Sequence, residues 1–575
     1  MSSVDGRYSI VFNGEIYNFV ELREELEATG VEFRTRSDTE VLLELLVRDG
    51  VTAFDRLNGM FAVALLDRDD GSILLARDHF GQKPLYYSTA GGRLAFSSEL
   101  PSLLCDERIE RRIDPDALAM FLRLWSVPAP LTMIRGVRQL RPGQWLRWCD
   151  GVSTSGCSVW RGAGRGAPIV DDLEAVDAVR GALLSAVQRH LVADVPLGVF
   201  LSGGVDSAAI AAAAVQQRSG PVQTFTVRWN DARFDESSDA AEVAHHLGTD
   251  HHELSVGDAG FDADVFWSVI EHMGQPLADN SLLPTYLLCR ETRRHVTVAL
   301  SGDGGDEMFG GYLDVVRAPT IDAISRLVPG PVLVGAATAL QRASAIPRLS
   351  SVGALRKGRR ALSAAALEPT ERVWAMSSAM DADELATLLR DRTHDADMGP
   401  IRDLLGPLEA LSPLRRMIRY RTAYLLADQM LVKVDRMSMA SSLEVRAPLL
   451  DQELAAVAAR LSDRQLVRRG TGKGALREAV RPWLPGAVFN RPKRGFGAPL
   501  SSLRNEAFTE LCHDLVLSRD SLMSDLFDRP TLEIIVGRVV DGHGDSAVES
   551  EHRINAQLWA LLVLAAWCRR YDVKA

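Results

Sequence analysis

The sequence is poor in cysteine. Its six cysteines, Cys105, Cys149, Cys157, Cys289, Cys512 and Cys568, are scattered and no two form a CxxC pair. Neither a disulfide framework nor a structural zinc site is indicated, and free thiols in a reducing compartment are expected. Long apolar runs are missing too. The most hydrophobic stretch, residues 556–567, is only twelve residues long, where a membrane span takes roughly 20, so a buried helix is expected there and no membrane partner. No basic-then-apolar leader opens the chain, and a cytoplasmic location is the expectation. Positive charge is not in excess: 65 Lys+Arg stand against 76 Asp+Glu, for a net charge of -11. No basic field would draw phosphates, so nucleic acid is not an expected partner. A GxxxxGK[ST] loop is absent as well, which removes the usual cradle for γ-phosphoryl transfer.

What remains is an ordinary globular composition, 46% hydrophobic and 25% charged over 575 residues, long enough for two or three domains. Residues 1–150 read as a β-rich unit. Strands are expected at 8–12, 61–67, 72–76 and 94–98, with a helix at 18–30 that sets Phe19, Leu22 and Leu26 on one face. Ser37 and Asp38 offer an N-cap to a second helix at 39–48. Residues 151–170, rich in Gly, Ser, Arg and Ala, read as a linker. From 171 to 575 the pattern alternates. Strands at 197–201, 222–229, 252–256 and 296–300 are interleaved with helices such as 208–217 and 242–247, which indicates a doubly wound parallel sheet. Beyond about residue 315 the chain reads as helical additions.

Two loops carry the chemistry. Ser202-Gly203-Gly204-Val205-Asp206-Ser207 joins an apolar strand to a helix start. Its glycines let backbone N–H groups turn inward, and the helix N-terminus adds positive dipole, which makes a nest for phosphate or pyrophosphate. Ser202 and Ser207 can add hydroxyl donors. Asp206 would repel a bare phosphate, so Mg²⁺ bridging the phosphate oxygens is its expected partner. The second loop, Ser301-Gly302-Asp303-Gly304-Gly305-Asp306-Glu307, again follows an apolar strand. In a parallel sheet both loops lie at the carboxyl ends of strands, where ligands bind. Asp206 and Asp306 could then share one Mg²⁺.

Together, SGGVDS and SGDGGDEMFGGY strongly resemble the asparagine synthetase family, whose first loop is that of the ATP pyrophosphatase enzymes. The stretches at 234–253, 276–288 (PLADNSLLPTYLL), 428–451 (DQMLVKVDRMSMASSLEVRAPLLD) and 492–500 (PKRGFGAPL) match as well. The resemblance implies an N-terminal partial amidotransferase domain of the Ntn type and a C-terminal ATP pyrophosphatase domain. It implies ATP and Mg²⁺ as cofactors, with Asp206 and Asp306 holding the metal. Leu201, Val227, Ser301 and Gly302 would contact the adenosine part of ATP, while Ser202, Gly203, Gly204 and Ser207 would surround the pyrophosphate. Asp303 would stand beside the reacting carboxylate. Lys473, in TGKGALREAV, would neutralise the leaving pyrophosphate. Arg446 would either orient the substrate carboxylate or form a structural ion pair.

VFNGEIYN (11–18) and RSDTEV (36–41) resemble the family's glutaminase domain, as do RDHFGQKPLYY (77–87) and SSE (97–99). They imply that Asn13, Gly14, Glu15 and Asp38 hold glutamine. The family's nucleophile is an N-terminal cysteine, and here no cysteine precedes Cys105. Two explanations stand: a recorded start that falls too late, or a protein that uses free ammonia. On either, the chain as written is expected not to hydrolyse glutamine and to leave an apolar strand edge exposed. The implied reaction is adenylation of aspartate followed by attack of ammonia, with small molecules as partners and a homodimer left open. The alternatives are the same adenylation on another carboxylate, as in β-lactam or lasso-peptide ring closure or secondary-metabolite amidation, and a non-catalytic regulatory homologue.

Overall fold

Two five-stranded sheets of opposite character organise the chain. The computed structural model describes residues 1–158, 166–229, 235–255, 261–344, 353–380, 382–391, 398–491, 497, 504–518, 522–540 and 548–575. The first sheet is antiparallel, in the order Tyr8–Ile16, Gly59–Asp67, Ile73–Arg77, Gln144–Cys149 and Val152–Cys157. Its strand Gly59–Asp67 is apolar on both faces because both are covered. Phe61, Val63 and Leu65 pack under the helices Phe19–Ala28 and Asp38–Asp49, and Ala62 and Ala64 pack with Leu75, Leu85 and Leu146. Ser37 caps the second helix, accepting from Thr39 N at 3.0 Å as its sequence position suggests. The edge strand Tyr8–Ile16 runs on through the NGEI segment, four residues past the expected end, and leaves Val11 exposed.

The first part of the expected linker is not a linker. Residues Val152–Cys157 pair in register with Gln144–Cys149 after a turn at Gly151, whose φ is 82°. A run of Ser, Thr and Gly reads as a loop, yet the neighbouring strand pairs with it along its whole length on one edge, and pairing overrides composition. Residues 159–165 lie outside the described set.

The second sheet is parallel, in the order Asp250–Ser255, Gln223–Arg228, Leu197–Phe200, Val298–Leu300 and Glu444–Arg446. The chain steps outward from Leu197–Phe200 on one side, then returns to lay Val298–Leu300 on the other. The order therefore reverses between these two neighbours, which is where a crevice opens at the carboxyl edge of a doubly wound sheet. The expected strands are all present with ends shifted by one or two residues, except that residue 256 is not described. Glu444–Arg446 was not foreseen, because three residues are too few to show a period. The helix after the first loop spans Val205–Gln217, three residues earlier than expected, and the next spans Ser237–Leu247.

The C-terminal helix Val548–Tyr571 buries Leu558, Trp559, Leu561, Leu562, Leu564 and Trp567, as expected for residues 556–567. No single helix among the described residues is long and apolar enough to cross a membrane. The helices Pro413–Tyr420 and Val432–Met439 are joined without a break by a π-helical stretch, Arg421–Leu431.

The two domains share one apolar cluster, to which the first contributes Phe80, Tyr86 and the helix Pro115–Leu124, and polar contacts cross the same boundary. Lys83 reaches Asp435 at 2.7 Å, Arg436 reaches Glu99 at 2.9 Å, and Ala129 N donates to Asp428 at 2.9 Å. Asn58 donates to Asp451 at 2.7 Å, and Gln452 meets His79 Nδ1 at 2.9 Å.

Candidate active site

The two glycine loops touch. A Cβ on Gly302 would stand 2.8 Å from Ser207 N and 2.9 Å from Asp206 Cβ, and one on Gly305 would stand 2.6 Å from Asp206 Cγ. Only glycine lets the second loop pack against the first turn of the helix that carries Asp206. In the first loop, Ser207 Oγ accepts from Ser202 N at 3.0 Å and lies 2.9 Å from Ser202 Oγ, which in turn accepts from Gly204 N at 3.2 Å. The two hydroxyls thus hold the loop in shape instead of standing ready as donors. Gly204 is the N-cap and gives no side-chain cap, so the first N–H groups of the helix face the hollow of the loop.

Lys473 closes the site from a third segment, 267 positions from Asp206. Its ammonium contacts Asp206 and lies 2.6 Å from Asp306 Oδ1. Burial opposes its charge, but Asp206 and Asp306 outweigh burial and hold the ammonium well above its ordinary value. The residue sits in the left-handed region, at φ 62°, just before the helix Gly474–Val480. Two glycines make room for it: a Cβ on Gly472 would meet Gly310 O at 2.3 Å, and one on Gly311 would meet Asp306 Oδ1 at 1.9 Å and Lys473 Cε at 2.2 Å. Asp303 is turned the other way and accepts from Ser301 Oγ at 2.7 Å; burial pushes its carboxyl above the usual range. Leu201 directly follows the strand Leu197–Phe200 and Val227 lies one residue before the end of its neighbour Gln223–Arg228, but their side chains fall into different apolar clusters, on opposite sides of the sheet.

Arg446 settles into the structural alternative. It is 3% exposed, donates to His190 O at 2.9 Å and Val192 O at 2.7 Å, pairs with Glu444, and lies 3.6 Å from Glu15 across the domain boundary. Its Nε and Nη1 donors go to groups of its own domain, so it ties the strand Glu444–Arg446 to the segment His190–Val192, and the structural alternative holds.

Of the expected glutamine residues, Asp38 Oδ2 accepts from Ile16 N at 3.0 Å and Asn13 donates to Ser98 at 3.2 Å, so the NGEI strand, the RSDTEV helix start and the SSE turn converge. A Cβ on Gly14 would stand 2.0 Å from Met60 O. Gly14→Ala must therefore push apart the strands Tyr8–Ile16 and Gly59–Asp67, and a loss of about 1–3 kcal/mol in chemical denaturation is expected.

Burial pushes Glu15 up to about 7, against the pull of the Arg446 guanidinium, with Asp38 and Glu444 adding to the rise. The unfolded glutamate releases its proton near 4.5, so the stability tied to this group is full below that pH and is lost as pH rises to about 7. Glu15→Gln is expected to flatten this part of the melting-temperature profile between pH 4.5 and 7. Parallel profiles for the two proteins would contradict it.

Three further groups at this edge carried no role in the sequence reading. Arg491 lies 3.0 Å from Asp239 and 3.4 Å from Gly203 O, and so pins the first loop to the helix Ser237–Leu247. Lys433 and Asp279 form a buried pair at 3.2 Å. No spacing in the sequence could have joined either set, because each contact spans more than 150 positions.

A parallel sheet whose switch point holds two glycine loops, two carboxylates and a bridging lysine, with an antiparallel domain against it, defines a two-domain α/β protein. The family model described as asparagine synthase matches residues 178–569, and that of a glutamine amidotransferase domain matches residues 1–160. The chain belongs to the asparagine synthase family, and it is a ligase. It is 34% identical over 577 residues to a putative asparagine synthetase [glutamine-hydrolyzing] of Mycobacterium tuberculosis, covering 98% of this chain and 84% of that one. It is 30% identical over 570 residues to asparagine synthetase [glutamine-hydrolyzing] 1 of Bacillus subtilis, covering 99% and 86%. With asparagine synthetase B [glutamine-hydrolyzing] of Escherichia coli it shares 33% identity over 328 residues, 54% of this chain and 53% of that one.

Proposed function

We propose that this protein converts aspartate to asparagine at the expense of ATP, through a β-aspartyl-AMP intermediate. The observation that carries the reading is Lys473 held between Asp206 and Asp306 at the sheet's switch point. One ammonium between two carboxylates leaves the site one negative charge in excess. A triphosphate enters such a site only with a cation. Two carboxylates suit Mg²⁺, which takes one or two protein acids and completes its shell from phosphate oxygens and water. When bound, Mg²⁺ held by Asp206 and Asp306 would offset charge on the phosphates.

The protein's part in the reaction is to bind and orient. The loop Ser202–Ser207 and the helix start behind it receive the phosphates. The β-carboxylate oxygen of aspartate bonds to the α-phosphorus, and the bond from that phosphorus to the pyrophosphate oxygen breaks. Lys473 lies where the charge of the leaving pyrophosphate develops, so its ammonium favours that step. Ammonia then adds to the acyl carbon and AMP leaves. Asn13, Gly14, Glu15 and Asp38 would hold glutamine in the other domain. Screening a panel of carboxylic acids for pyrophosphate release tests the reading. Aspartate is expected to give the fastest release, with AMP in equal amount; ADP in place of AMP would overturn it.

A further inference from the structure

Besides Lys473, one more buried ammonium among the described residues stands at the carboxyl edge of the parallel sheet. Lys433, 8% exposed, lies on the helix Val432–Met439. Its Nζ is 2.6 Å from Ser281 Oγ and 3.2 Å from Asp279 Oδ2. Asp279 is itself fixed, since its Oδ1 accepts from Ser281 N at 2.8 Å and from Ser281 Oγ at 2.6 Å. These residues immediately precede the helix Leu282–Thr292, which crosses back before the strand Val298–Leu300. A helix that leads into a parallel strand starts at the carboxyl edge of the sheet, so Asp279 and Ser281 stand at the same edge as Asp303.

An ammonium has three donors. Two of Lys433's meet Asp279 and Ser281; the remaining neighbour is Met430 Sδ at 3.7 Å, a weak acceptor. Burying a lysine costs several kcal/mol unless its partners are complete, and a thioether does not complete them. A second carboxylate would. Asp303, at the same sheet edge, is near enough for the positive field of Lys433 to oppose the rise that burial imposes on its carboxyl.

We propose that Lys433, steered by Asp279 and Ser281, binds the α-carboxylate of the acceptor amino acid and so selects aspartate over acids with one carboxylate. The inference rests on aspartate being the acceptor. When the β-carboxylate becomes an acyl phosphate its charge is spent in the bond, but the α-carboxylate stays ionised and needs a cation throughout. Among the described cations named at this edge, Lys473 serves the phosphates, Arg446 is bound to protein groups and Arg491 to the first loop, which leaves Lys433.

The test compares pyrophosphate release with aspartate and with β-alanine, which is aspartate without its α-carboxylate, in the unsubstituted protein and in Lys433→Met. Losing one charge-assisted contact is expected to cut kcat/KM for aspartate roughly 10–100-fold. The rate with β-alanine and the KM for ATP should hold within about twofold, so the preference for aspartate collapses. If both acids lose activity in parallel, Lys433 is only a structural ion pair and the inference is overturned. If the unsubstituted protein shows no aspartate-dependent release, the acceptor assignment itself fails and takes the inference with it. Should Lys433→Met not fold, Ser281→Ala, which removes the 2.6 Å partner and keeps the pair with Asp279, is expected to lower the preference several-fold. An unchanged preference there would also overturn it.

Discussion

Replacing Asp206 by alanine is expected to abolish pyrophosphate release while leaving the fold in place. The two outcomes separate because the residue has little to do with packing. Asp206 stands in the first turn of an Ala-rich helix, where alanine is the best helix former. Its loss there forfeits the dipole interaction of an acid with a helix start, about 0.3–1 kcal/mol, and one of the two ion pairs of Lys473. Lys473 keeps Asp306 at 2.6 Å, so no buried ammonium is stranded. The site, however, loses one of the two acids that would hold the cation, and with it the placement of the triphosphate. A rate loss of at least roughly 10²–10³-fold follows if charge stabilisation is the main catalytic device. Pyrophosphate release read beside a thermal melt checks both halves; release within tenfold of the unsubstituted protein, at an unchanged melting temperature, would sink the site assignment.

Gly311→Ala is expected to have nearly as large an effect on activity through one methyl group. The added Cβ would fall 1.9 Å from Asp306 Oδ1 and 2.2 Å from Lys473 Cε. The backbone there has no need of glycine for its φ, so the change acts through space alone. Both neighbours are side chains and can move, which limits the stability loss to about 1–3 kcal/mol. They cannot move and also keep their pairing. Lys473 is fixed at its other end by a left-handed backbone and by Gly472 against Gly310 O. The methyl group must therefore part the ammonium from Asp306 or tilt both away from the loop Ser202–Ser207. A fall in pyrophosphate release of at least about 10²-fold with a small shift in melting temperature is the expected pattern. Retained activity would mean that Lys473 does not act from the position seen here.

How much of this was legible depends on how far apart the cooperating residues lie. SGGVDS and SGDGGDE are local, and each follows an apolar strand, so the loops and their placement at the sheet edge could be read from the sequence. The alternation of strand and helix also gave the parallel sheet, because buried parallel strands are continuous apolar runs. The grip of Lys473 on both acids was not legible as physics. A lysine at a helix start is ordinary until folding brings it across 267 positions to Asp206; only the family resemblance pointed to it. The choice between the two expected roles of Arg446 could not be made from the sequence for a related reason. Its partners are backbone carbonyls at His190 and Val192, which no side-chain pattern announces. The strand Val152–Cys157 was hidden by its composition, since strand pairing is a property of its neighbour Gln144–Cys149 as much as of itself.

The boundary between the domains, apolar cluster and buried polar pairs together, has a mechanical consequence. Lys83 and Asp435 are separated by 352 positions and Asn58 and Asp451 by 393, and both pairs are largely out of water. The peptide link between the halves is thus the lesser of two fastenings. A protease cut between Ser158 and Gly166 would yield two fragments that still migrate as one particle, and the acceptor site would keep its neighbour.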